Sequence, residues 1–140
     1  MRRMIWILGL WGCTESTVSS SSLPKFPVVQ LEVNGQSHSV EYACAPHEVA
    51  LGLRYRQLKE NEGMVLCAQK GSSLSMKKMK SPISAAFLSS KKEIISVVEL
   101  SLSAADYPIS SDVVWVWEMP QNWFRKQGIT PGTVVTGLEK

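Results

Sequence analysis

The segment Val113–Met119, VVWVWEM, carries apolar side chains at both odd and even positions, and Pro120 stops it. Successive side chains of a strand point to opposite faces, so such a run needs cover on both sides of its sheet. The chain must therefore build a sheet packed from above and below. Its 140 residues suffice for one domain with a real core. Seven prolines and nine glycines disfavour a helical bundle, and five tryptophans disfavour a disordered chain.

Other elements follow from turn chemistry. Residues 26–43 alternate apolar and polar around Asn34-Gly35. That dipeptide suits a two-residue type I′ turn, which requires positive φ at both positions. Such a turn sets Val33 opposite Gln36, Leu31 opposite His38 and Val29 opposite Val40. The inward face is then Val29, Leu31, Val33 and Val40, with His38 at its margin. Pro46 and Glu48 open a helix of two or three turns that Gly52 limits. Residues 63–68 read as a buried strand, 74–79 as an alternating strand, and 83–88 as a further strand. The β-branched run 94–102 predicts a central strand. Residues 121–128 predict one or two helical turns closed by a left-handed Gly128, and Pro131-Gly132 turns the chain into a last strand. The expected fold is mainly β (α+β): a compact, mostly antiparallel sheet or small, partly open barrel, with seven or so strands and two short helices.

The N-terminus predicts a destination. Arg2 and Arg3 precede an uncharged apolar run, Met4–Trp11, far shorter than the ~20 residues of a spanning helix. It fits the apolar stretch of an export signal. Leu10-Trp11-Gly12-Cys13 resembles the acylation site of bacterial lipoproteins, and a plain secretory signal is the alternative. The expected organisation is a signal over 1–13 ending in a lipidated Cys13, a Ser-rich linker over 14–25, and one domain over 26–140. The chain would then be exported and held in the cell envelope or periplasm by its N-terminus, with the membrane as first partner.

Loss of Arg2 and Arg3 with the signal lowers the net charge from +3 to +1. A near-neutral domain has no electrostatic footprint for nucleic acid. One local basic cluster exists, Lys77, Lys78 and Lys80, with Arg54, Arg56 and Lys59 earlier: a solvated face or, with Arg54, Arg56, Lys77 and Lys78 on its rim, a cleft for a small anion. Cys44 and Cys67 remain as an even pair: a disulfide, or two buried thiols. His38, Cys44, His47 and Cys67 hold half of a zinc spacing, and Cys67 lies in an apolar strand where burial makes a thiol inert. Trp115, Trp117 and Trp123 form a stacking platform or, the better account, a core. No catalytic constellation, cofactor motif or metal site emerges.

The order of motifs then resembles a known family. GLRYRQL, EGMVL, MKK with PISAAFL, IISVVEL, and VWVWEMPQNWFRKQGITPGTVV follow the pattern of domain-of-unknown-function family 192 over about Val40 to Val135. Gly52, Leu53 and Arg56, then Gly63 and Met64, then Gly128, Ile129 and Gly132 carry the resemblance. It implies a small β-rich domain with short helices, often exported, with no established activity. The family's segment Phe-Trp-Met-Lys-Asn-Thr, followed by Pro-Leu-Asp, stands here at Leu74–Met79 and Pro82–Ser84. Met76, Lys77 and Pro82 are kept, whereas Ser75, Lys78 and Ser84 replace Trp, Asn and Asp. Chemistry relying on that aspartate is lost. The expected function is a non-catalytic, envelope-associated interaction domain on a lipid anchor, its partner an envelope protein. Alternatives are a small-ligand binder with a basic cleft, or an enzyme of unknown reaction.

Overall fold

The computed structural model describes residues 23–139. The export signal, Cys13 and the linker through residue 22 lie outside the described residues. Strand β1 (Val28–Val33) and strand β2 (Gln36–Ala43) form the expected hairpin. Asn34 and Gly35 take φ of 51° and 78°. The register pairs Val33 with Gln36, Leu31 with His38 and Val29 with Val40, as the turn predicts. Leu31, Val33 and Val40 are buried, and Val29 is partly so.

Helix α1 (Pro46–Leu51) follows, shorter than expected because Gly52 turns left-handed at φ 48°. The Glu48 carboxylate accepts from the Ala45 N–H at 3.0 Å, replacing the cap that an alanine side chain lacks. Then come β3 (Met64–Cys67), β4 (Ser73–Leu74), β5 (Ile83–Leu88), β6 (Ile94–Leu100), β7 (Tyr107–Pro108), β8 (Trp115–Pro120) and helix α2 (Trp123–Lys126). Six strands form one open sheet in the order β1-β2-β3-β8-β5-β6, and β4 pairs with β7 apart from it. Only β2 and β3 run parallel; the other pairs are antiparallel.

Three expectations need correction. The alternating segment 74–79 is a strand only at Ser73–Leu74 and then turns, with Lys78 at φ 61°. The β-branched run forms β6 at the sheet edge, not its centre. Apolar branching reports a strand's fit to a pleated, half-buried surface and not how many neighbours it has. The C-terminal residues form no strand and meet the sheet by the isolated bridges Glu32–Thr136 and Glu93–Val134.

The central position belongs to β5 and β8, buried throughout except Pro120. Their alternation separates two cores. On one face Leu31, Val40, Val65, Ala86, Trp115 and Trp117 are covered by α2 and the C-terminal segment. On the other, Met64, Leu66, Ala85, Phe87 and Val116 are covered by Leu53, Leu74 and Met76. Gly63 is required by close approach, since a Cβ there would collide with Met119 Sδ and the Glu118 carbonyl oxygen.

Candidate functional site

Strand registers place Glu41, Met64, Glu118, Ala85 and Val98 in one transverse row across β2, β3, β8, β5 and β6. Side chains directly opposite on paired strands share a face. Glu118 thus lies mid-sheet, flanked by Met64 and Ala85, and is only 5% exposed. Its carboxylate has no hydrogen-bond donor and no cation among the described residues. Burial pushes its pKa up to about 7, because the charged form loses hydration without compensation.

Glu41 shows the opposite arrangement in the same row. Arg56 Nη1 ion-pairs with its carboxylate, and the Phe26 N–H donates to it at 2.9 Å. Arg56 Nη2 also donates to the Pro24 carbonyl at 3.0 Å, and its guanidinium lies 5.8 Å from the Phe26 ring centre. This cluster fastens the segment before β1 to the sheet.

Glu118 opens into a cleft of about 250 Å³. Val49 and Leu51 of α1, Leu53, Leu66, Leu74 and Val116 supply its apolar walls, and Arg54, Gln69 and Ser75 are among its polar lining. Cys44 and Cys67 form a disulfide with Cα atoms 4.7 Å apart, which ties the start of α1 to the end of β3 beside the cleft. Tyr42 Oη lies 3.2 Å from Cys67 Sγ and accepts from Trp115 Nε1 at 3.4 Å.

The structure does not gather the four basic residues singled out from the sequence. Arg54 lines the cleft. Arg56 is buried and engaged with Glu41. Lys77 is exposed, and the Lys78 ammonium sits 5.7 Å from the Tyr55 ring centre; neither lines the cleft. The expected basic rim is therefore replaced by one arginine and a buried acid. Arg56 is diverted because an unpaired Glu41 beside it would be costly.

The positions where the resemblance has Trp, Asn and Asp are also dispersed. Ser75 lines the cleft, Lys78 sits exposed in a turn at φ 61°, and Ser84 faces the other core. Ser84 donates to the Glu99 carboxylate at 2.6 Å, and the Asn122 N–H reaches the same group at 3.2 Å. The zinc set does not assemble, since Cys44 and Cys67 bond to each other and His38 packs edge-on to Trp123 at 4.9 Å. Burial lowers the His38 pKa, consistent with packing. Trp115, Trp117 and Trp123 are buried in a core and offer no platform. Sequence reasoning missed Glu118. The available signal was one acid inside a strand that had to be covered on both faces.

The profile of DUF192, "Uncharacterized ACR", matches residues 29–137. No curated protein matches the chain. A proposed transcription regulator from Sinorhizobium meliloti 1021 shares the fold at TM-score 0.72 and 22% identity, over 82% of this chain and 97% of that one. A protein of unknown function from Novosphingobium aromaticivorans DSM 12444 does so at TM-score 0.68 and 22% identity, over 79% and 85%. At this identity the likeness concerns the fold alone.

Proposed function

The chain belongs to the DUF192 family of uncharacterised proteins, and from that premise we propose that it is a small-ligand-binding domain carried on an exported, lipid-anchored chain. One observation carries the binding reading: a buried carboxylate that meets no donor or cation among the described residues opens into an apolar cleft. Concave, mostly apolar sites with a few placed polar groups are the usual form of small-molecule pockets. The reading is non-catalytic. Arg54 is the other ionisable residue in the lining, and it makes no ion pair with Glu118, so no acid–base pair stands within hydrogen-bond reach. The notion of a protein-docking module is less favoured. Among the exposed large apolar residues, Val28 and Ile95 sit on opposite edge strands of the sheet.

A fragment screen by methyl NMR tests the binding reading. Hits should shift the methyls of Leu53, Leu66 and Val116 and vanish in Ala68→Trp, which fills the cleft. Hits confined to other surfaces would reject it. Export and anchoring rest on Arg2-Arg3, the apolar run and Cys13, with the disulfide as support because such bonds persist in oxidising compartments. Fatty-acid labelling should mark the wild type and not Cys13→Ser; equal labelling of both would remove the anchor.

A further inference from the structure

Resting on that binding reading, we propose that the ligand is an organic amine whose ammonium group sits on the Glu118 carboxylate and whose apolar body lies between α1 and β4. The geometry argues by elimination. Glu118 occupies the middle of a covered sheet, flanked by Met64 and Ala85, where an apolar side chain of similar size would pack without a desolvation penalty. Its charge has no counter-ion and its oxygens have no donor among the described residues. An anion seated at the Glu118 carboxylate would meet like charge. A neutral hydroxyl offers one hydrogen bond and leaves the charge uncompensated. An ammonium supplies both charge and donors, and charge-assisted hydrogen bonds are the stronger kind.

The surroundings leave room for that role. Toward Glu118, β3 presents Met64 and Leu66, and β5 presents Ala85. In the lining, α1 contributes Val49 and Leu51, the segment around β4 contributes hydroxyls and Leu74, and Cys67 is held in the disulfide. Arg54, in the turn after α1, is the one other titratable group in the lining; it is partly exposed and makes no ion pair among the described residues. The cleft walls are apolar on several sides, which suits an aliphatic body.

Hexylamine, hexanol and hexanoate are titrated separately into the full chain, with binding followed on the cleft methyls. An alkylamine remains protonated through neutral pH, so the pH profile reports Glu118. With its pKa near 7, the ionised fraction and hence the amine affinity should rise about tenfold from pH 6 to pH 8. At pH 8 the amine should bind at least about tenfold more tightly than hexanol. Glu118→Gln should abolish the pH dependence and bring amine and hexanol affinities within about twofold of each other. Hexanol or hexanoate binding as tightly as the amine, or amine binding flat with pH, overturns the amine class and spares the ligand-binding reading. Failure of all three probes, and of the fragment screen, to shift the cleft methyls overturns both.

Discussion

Trp117 and Glu118 are neighbours on β8 and face opposite cores. Among the described residues, buried Trp117 Nε1 has no hydrogen-bond partner, and no donor or cation meets the Glu118 carboxylate. The consequences differ. Trp117 lies 5.0 Å from Phe124 in an edge-on contact and 5.4 Å from Trp123, on a face sealed by α2 and the C-terminal segment. Its lost hydrogen bond is a permanent penalty of about 1–3 kcal/mol, outweighed by the large apolar area of the indole. Glu118 can relieve its penalty by taking up a proton or by meeting a cation. One face of the sheet thus stores stability, and the other holds a cost that something else can remove.

Four substitutions probe that contrast. The largest effect should come from the sealed face: Trp117→Ala should lose about 3–5 kcal/mol in denaturant unfolding. A loss below about 1 kcal/mol would show that this face is not the stability store. Next is Glu118→Gln. The folded pKa of about 7 exceeds the ordinary carboxylate value, so the folded state binds the proton more tightly than the unfolded state. The Glu118 contribution to wild-type stability is therefore fully present at acid pH and is lost as pH rises from about 4.5 through 7, by on the order of 3 kcal/mol. Glu118→Gln should be more stable than wild type at pH 8 by up to that amount and equal to it near pH 4. Equal stabilities at pH 8 would contradict the uncompensated charge.

Arg56→Met comes third. It strands Glu41 in a partly solvated site and should cost about 2 kcal/mol, with hexylamine affinity unchanged. A weakened affinity would return Arg56 to the site. Smallest is Lys77→Ala, which should change stability by less than about 0.5 kcal/mol and leave binding untouched. A larger change in either would show that the exposed turn contributes to the cleft.

The legible parts of the fold were those set by local chemistry. Asn34-Gly35 specified the hairpin and its register, because a two-residue turn leaves one way to pair the flanking strands. The apolar run at β8 specified a sheet covered on both sides. The position of β6 was hidden, since neighbours across a sheet depend on chain topology. Lys78 in a left-handed turn was equally hidden, as lysine carries no turn signature. Of the site, the basic residues were visible as a cluster only along the chain; folding sends Arg56 to Glu41 and Lys78 to Tyr55. Glu118 was overlooked because a single acid in a strand ordinarily points to solvent, and only the assignment of both faces reveals otherwise.

The parallel pairing of β2 with β3 has its own consequence. Parallel neighbours cannot be joined by a tight turn, so residues 44–63 must arch from one end of the sheet to the other, carrying α1 and Arg54. That arch walls the cleft and, up to its last residue, Gly63, whose carbonyl accepts from the Glu41 N–H, contributes no rung to the main ladder. Descendants of this gene could therefore lengthen or trim it, and so change what the cavity admits, while inheriting the same strand pairings. Innovation in selectivity and preservation of foldability are assigned to different stretches of the polypeptide.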